Sequence, residues 1–302
     1  MYVGRSIDPS AGAPGYWWGK YYRLTMGVCS SAPCGTSTWG VANGASRAAT
    51  EMIAQLTIGG STAYLGPITI SSSVTLDDAG NTWVFFGTGR FFTQTDKIDQ
   101  HVQYLVGVKD TVMNGGCTQS SVTNCPDQNL LDVSNAQICV SCASGNQVQG
   151  VGTVATFASL VSQVQGMDGW FIQLTTNSGS TTLGAERSIV NPSLISGAVF
   201  FPTFTPTYDI CVATGTSNLY GLYYKTGTGY TDPIFGVDAA GKAARQVSLG
   251  EGLASSVAIQ IGSQPTGMAG FVQSSNSSII KVQPKPPSTL WSQYISWMNH
   301  RD

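Results

Sequence analysis

Hydrophobic and polar positions along the chain fall into short runs punctuated by glycine, proline, asparagine and aspartate, and three stretches share one grammar. In the first, residues 68–76 (ITISSSVTL) read as a strand rich in small residues. Residues 77–81 (DDAGN) read as a tight turn, residues 83–90 (WVFFGTGR) as a very apolar strand, and residues 103–108 (QYLVGV) as a third strand. The second stretch repeats the order: residues 188–195, a turn at Ser196-Gly197, the apolar run 198–204 and the strand 218–224, closed by Lys225-Thr226-Gly227. The third is a weaker copy, through 254–261, 270–273, a turn at Ser275-Asn276, and 279–282. Helical spacing is confined to three segments: 45–57, 153–165, and the tail 288–300, where Leu290, Trp291, Tyr294 and Trp297 would share a face.

Recurrence of this kind is what radial β repeats leave in a sequence. Small residues suit an innermost strand crowded against a central channel, and bulky residues suit the middle strands that fill the space between blades. The expectation is an all-β protein of β-propeller blades with Cys-rich loop insertions; a β-sandwich with similar hairpins is the alternative. The units run as a blade end at about 1–26, an insertion at 27–66, a blade at 67–110, an insertion at 111–167, and blades at 168–232 and 245–283. A tail at 284–302 opens on Pro-Lys-Pro-Pro. Three blades and a part can hardly close a ring of about four to eight, so the chain is expected to be a partial propeller, the C-terminal portion of a longer protein. Residues 1–5 lead into no apolar signal-peptide core, which agrees with a fragment.

Composition narrows the class. Charged residues are 10% of the 302, with a net charge of −2, so no basic excess exists to hold nucleic acid. No apolar run is long enough to span a bilayer, so the chain does not read as an integral membrane protein. Glycine, at 36 residues, is plentiful as turn-rich β architectures require. Six of the seven cysteines form close pairs, Cys29 with Cys34, Cys117 with Cys125 and Cys139 with Cys142, which read as disulfides of an oxidising compartment. Cys211 is left over and would pair with Cys139, Cys142 or a cysteine outside this chain. Only two histidines, His101 and His300, stand against a zinc site.

Candidate chemistry is sparse. Trp17 and Trp18, with Trp39, offer a possible aromatic binding platform, against the simpler reading that they pack between blades. Asp77, Asp78 and Asn81 offer oxygen ligands but lack the alternation and closing bidentate carboxylate of a calcium loop, and read better as a hairpin turn. Asp96 and Asp99 read as a solvated loop, and Glu186-Arg187 as structural ion pairs at a blade start. Cys139-Val140-Ser141-Cys142 lacks the helix N-terminus of a redox CxxC and the following histidine of a haem attachment. No catalytic triad or P-loop can be assembled, so no enzyme, cofactor or catalytic residue is expected.

Residues 83–92 (WVFFGTGRFF) followed by 104–110 (YLVGVKD) closely resemble a segment of the PilC/PilY family of type IV pilus tip and assembly proteins. Further matches keep the family's order: Val3-Gly4-Arg5 with Trp17 to Tyr22, Gly169 to Leu174 with Gly184 to Arg187, and Phe200 to Thr205 with Asp209 to Cys211 and Gly215 to Tyr220. The resemblance implies a C-terminal β-propeller, export through the periplasm, and a place at the pilus tip or outer surface. It implies non-enzymatic roles in pilus extension, surface adhesion and twitching motility, with minor pilins and a host or abiotic surface as partners. Some members bind Ca²⁺ through an Asp-rich propeller loop that this sequence does not show. Two alternatives stand beside it. One is a quinoprotein-like dehydrogenase propeller, disfavoured because no cysteines are adjacent. The other is a general surface- or glycan-binding module using Tyr16, Trp17, Trp39 and Trp291.

Overall fold

A computed structural model describes residues 1–11, 14–24, 49–110, 129–143, 145–209, 214–261, 268–285 and 287. The described residues are mostly β-sheet, with two short α-helices and a single 3-10 turn at Pro9–Ala11. Strands β1 (Tyr2–Ile7), β2 (Trp18–Leu24) and β3 (Ala49–Ile53) form an antiparallel sheet, followed by a hairpin of β4 (Gln55–Ile58) and β5 (Ser61–Tyr64). A meander follows through β6 (Ser73–Leu76), β7 (Thr82–Gly87) and β8 (Tyr104–Lys109), with helix α1 (Gln94–Ile98) in the last connection. The next segment supplies β9 (Leu130–Asp132), a small hairpin of β10 (Gln137–Ile138) and β11 (Val148–Gln149), helix α2 (Phe157–Gln165) and β12 (Gly169–Gln173). A four-stranded antiparallel sheet comes from β13 (Ser193–Ile195), β14 (Ala198–Pro206), β15 (Gly215–Tyr223) and β16 (Gln246–Glu251). The last sheet is β17 (Ala258–Ile261), β18 (Met268–Gln273) and β19 (Ile279–Val282).

The recurrent strand–turn–apolar strand–strand order therefore becomes three antiparallel meanders, β6-β7-β8, β13-β14-β15 and β17-β18-β19. Their turns follow from local chemistry. Asp77 accepts N–H bonds from Ala79 and Asn81 and so closes the β6–β7 turn. Ser196 and Gly197, at φ 47° and 81°, give β13–β14 the two left-handed positions a tight hairpin demands.

The sheets pack face to face in chain order, and the period-two alternation of each central strand feeds two cores. Trp83 and Phe85 of β7, Leu105 of β8 and Trp170 and Ile172 of β12 meet Val199 and Phe201 of β14 and Tyr220 and Leu222 of β15. The other face of the five-stranded sheet, with Val84, Phe86, Val106, Val108 and Phe171, packs on Tyr21, Met52, Ile53 and Leu56. Phe200 and Leu219, on the far side of the four-stranded sheet, pack on Val257 and Val272. Runs such as β7 and β14 read as continuous hydrophobics because both faces are covered.

Three expectations need correction. Residues 49–53 and 55–58, overlapping the expected helix 45–57, are the strands β3 and β4; β3 pairs with β2, so cross-strand pairing overrides the local helical spacing. Gly169–Gln173, expected to open the unit at 168–232, is inserted between β8 (antiparallel) and β9 (parallel) and completes the preceding sheet. The segment 27–66 is not wholly an insertion, since β3 belongs to the first sheet. The helix expected at 153–165 is present as α2, capped by the Thr156 side chain and anchored by Leu160 and Val164. The tail helix at 288–300 lies outside the described residues.

Candidate functional site

The turn at Asp77–Asn81 is consumed by structure. Asp77 also accepts from Asn81 Nδ2 and Trp83 Nε1, each at 2.9 Å. Burial alone would raise its pKa, but these bonds outweigh burial and hold the carboxyl below its usual value. Asp78 points out of the same turn and pairs with the Lys225 ammonium. A divalent cation at Asp77, Asp78 and Asn81 would have to displace an ammonium and break the turn, so these residues do not fit a calcium site. Among the described residues, no group of three or more His, Cys, Asp or Glu side chains is placed to hold a metal ion.

The two described tryptophans of the aromatic platform part company. Trp18 faces the β4–β5 hairpin, edge-on to Tyr64 at 5.1 Å, with the Lys20 ammonium 5.4 Å away. Trp17 lies beneath the Arg90 guanidinium at 4.0 Å, and Arg90 is fixed by Asp96 at 2.5 Å. Tyr16 stacks on His101 at 3.8 Å, and Phe92 is 73% exposed beside Arg90. Tyr16 and Trp17, from the segment before β2, thus lie against Arg90 and His101 of the loop that carries α1. Trp39, Cys29, Cys34, Cys117, Cys125 and Cys211 lie outside the described residues.

Asp96 is buried rather than solvated. It accepts N–H bonds from Phe92 and Thr93 at 2.7 Å and starts α1. Among the described residues, Arg187 makes no ion pair. Its fully buried guanidinium donates to the carbonyls of Ala185, Arg90, Asp96 and Asp99 at 2.5–3.1 Å, tying the entry of the four-stranded sheet to the α1 loop. Glu186, also buried, accepts from Thr203, Asn218 and Tyr220. Burial raises the Tyr220 phenol pKa, and the Glu186 charge adds to it. Cys139 and Cys142 form a disulfide with their Cα atoms 5.6 Å apart, and the loop between them donates two N–H bonds to Gly241.

A further site was not anticipated as a cleft. A cleft of about 600 Å³ opens where the β6–β7 turn meets the β13–β14 turn and the end of β15. Tyr223, Tyr224 and Tyr230 supply aromatic walls, Leu76, Leu194 and Pro287 apolar ones, and Asp78–Lys225 crosses the cleft as an ion pair. The rings are held in place: Tyr224 packs edge-on to Trp83 at 6.2 Å, and Tyr223 and Tyr230 lie 4.7 Å apart. Burial pushes the Tyr223 phenol up to about 12 and raises Tyr224, so both hydroxyls stay protonated at neutral pH. Burial would depress Lys225, but the Asp78 hydrogen bond outweighs it and the ammonium is raised; Asp78 is correspondingly lowered. The residues come from four separated segments, which is why linear reading missed them. The available signal was the run Tyr223-Tyr224-Lys225 at a strand end, where aromatic residues meet a turn.

Over 163 residues, 53% of the chain, the sequence is 29% identical to the type IV pilus biogenesis factor PilY1 homolog of Xylella fastidiosa; the match covers 10% of that protein. The fold is similar to the crystal structure of the Pseudomonas aeruginosa PilY1 C-terminal domain, with a TM-score of 0.51, over 94% of this chain and 60% of that one at 18% identity. No family model matches the chain. The PilC/PilY resemblance read from the sequence thus has a counterpart in sequence identity and another in fold.

Proposed function

We propose, from this likeness to PilY1 proteins, that the chain is the C-terminal part of a type IV pilus biogenesis protein and acts without catalysis outside the cell. The sheets are read as consecutive propeller blades. Face-to-face packing in chain order, with bulky residues of the central strands filling each junction, supports that reading. The carrying observation is that the resembling segments 83–92, 104–110, 169–174, 200–205 and 215–220 lie largely on adjacent strands of two facing sheets and contribute to their common core. In this chain they form one packed unit, which supports the resemblance.

In this reading the protein is exported through the periplasm, forms disulfides Cys29–Cys34 and Cys117–Cys125 besides Cys139–Cys142, and stands with minor pilins at the pilus tip or outer membrane. There it supports extension, adhesion to a host or abiotic surface, and twitching motility, with no resident cofactor. The test is deletion of the gene in its own host with complementation by the intact gene. Sparse surface pili, reduced adhesion and smaller twitching zones, all restored by complementation, are expected. Normal piliation and adhesion in the deletion strain would sink the proposal.

A further inference from the structure

We infer that the tyrosine cleft between the five-stranded and four-stranded sheets binds an uncharged saccharide. The assignment deepens the surface-contact part of the pilus reading and rests on it only for its biological setting.

The chemistry of the walls selects the ligand. A sugar ring presents apolar C–H faces and hydroxyl edges that both donate and accept. The cleft offers the complement: rings of Tyr223, Tyr224 and Tyr230 for the faces, and phenol hydroxyls, Thr75, Ser196, the Asp78 carboxylate and the Lys225 ammonium for the edges. Its volume of about 600 Å³ lies within the range of small-molecule sites.

Charge decides against the competitors. Asp78 and Lys225 cancel one another, so neither an anion nor a cation finds an unpaired counter-charge. A vicinal diol satisfies both at once, donating to the carboxylate and accepting from the ammonium. A proline-rich peptide also favours aromatic grooves. It brings carbonyl acceptors but few donors for the exposed Asp78 carboxylate, whose acceptor capacity exceeds its bond to Lys225.

Lys225 is fixed as well as paired. Its side chain is 11% exposed, lies 5.6 Å from the Tyr224 ring, and sits on the tight turn that ends β15. Asp78 reaches it from a different sheet while its own side chain is 77% exposed. The cleft is thus a junction between sheets with a rigid inner wall and an accessible outer carboxylate.

The experiment uses the full chain and saturation-transfer NMR with titration calorimetry. The probes are lactose, N-acetyllactosamine, cellobiose and maltose, with sialyllactose as the anionic counterpart and a proline-rich decapeptide as competitor. At least one uncharged disaccharide is expected to bind. Tyr230→Ala should weaken it about tenfold or more and Tyr230→Phe only a few-fold, since the ring outlasts the hydroxyl. Asp78→Asn lies on an exposed turn and leaves the core untouched. It should weaken the uncharged disaccharide and strengthen sialyllactose, because Lys225 is then uncompensated. Near-ultraviolet circular dichroism checks that each variant keeps its packing.

Absence of binding by all four uncharged disaccharides at about 10 mM would overturn the assignment. So would binding that ignores both Tyr230→Ala and Asp78→Asn, or a peptide that takes the cleft while the sugars do not. Binding is read on the isolated chain and piliation on cells, so a failure of one is distinct from a failure of the other.

Discussion

Replacing Arg187 by alanine should be among the most damaging single changes in the protein. The side chain is 1% exposed and donates to four backbone carbonyls, those of Ala185, Arg90, Asp96 and Asp99. Asp99 keeps the Ala185 N–H when the guanidinium is removed, so the loss falls on the others. A buried hydrogen bond from a charged donor contributes about 1.5–3 kcal/mol, and an unsatisfied buried acceptor costs about 1–3 kcal/mol. With the cavity left by a large side chain, a destabilisation of about 4 kcal/mol is expected for Arg187→Ala. That is a large fraction of the roughly 5–15 kcal/mol a domain commands. Arg187→Lys keeps the charge but not the planar fork, and should recover less than half of the loss. Urea unfolding of the parent and both variants gives these numbers directly. Amide exchange should show Phe92 and Thr93 losing protection, because their partner Asp96 sits in the loop that Arg187 clamps. If Arg187→Ala unfolds within about 1 kcal/mol of the parent, the reasoning that this side chain joins the two sheets is wrong.

Gly227 has φ +68°, and a Cβ there would collide with the Trp170 indole. Gly227→Ala should cost about 3 kcal/mol by chemical denaturation, and a cost below about 1 kcal/mol would show that the ring yields. Lys109 donates to the Val164 and Gln165 carbonyls at the end of α2, at 3.2 and 2.8 Å. Lys109→Met should lower stability by about 1–2 kcal/mol and the helical circular dichroism slightly, and an unchanged melting profile would refute the capping role. Burial raises Tyr21 and Tyr104 from 10.0 to about 12 each. A phenol raised on folding contributes stability that is complete below its unfolded pKa and is lost as pH rises through the folded one. Cooperative unfolding is therefore expected between pH 10 and 12, coincident with ionisation of these two phenols; Tyr21 and Tyr104 ionising, as followed by residue-resolved NMR, while the fold persists would contradict it.

What could be read from the sequence was what local chemistry determines. The run Trp83 to Phe86 declared a doubly covered strand, and Asp77 to Asn81 declared its turn, because neither needs a distant partner to be recognised. Met52, Ile53 and Leu56 fit helical and extended spacing alike over so short a segment, and only Tyr21, paired with Ile53, settles the choice. Of the candidate site residues, Trp17 and Asp78 turned out to face features worth testing. Neither partner, Arg90 for one and Lys225 for the other, is near enough in the chain for spacing to announce it. Arg187 was read as an ion-pair residue because charge suggests carboxylates; the backbone carbonyls it binds leave no mark in a sequence.

The order of strands in the five-stranded sheet has a kinetic consequence. β9 precedes β12 in the chain, yet β12 lies between β8 and β9. Adding neighbours one by one as the chain emerges cannot build this sheet, since the position between β8 and the edge strand β9 is filled by its last-made strand. Until residue 173 is available, the β8 edge stands open and any strand-forming segment is free to compete for it. Folding of this half of the protein is then a race between the arrival of its own wedge and capture by a stranger. The outcome is set by how fast residues 110–168 can be brought round, a loop-closure time more than a matter of stability.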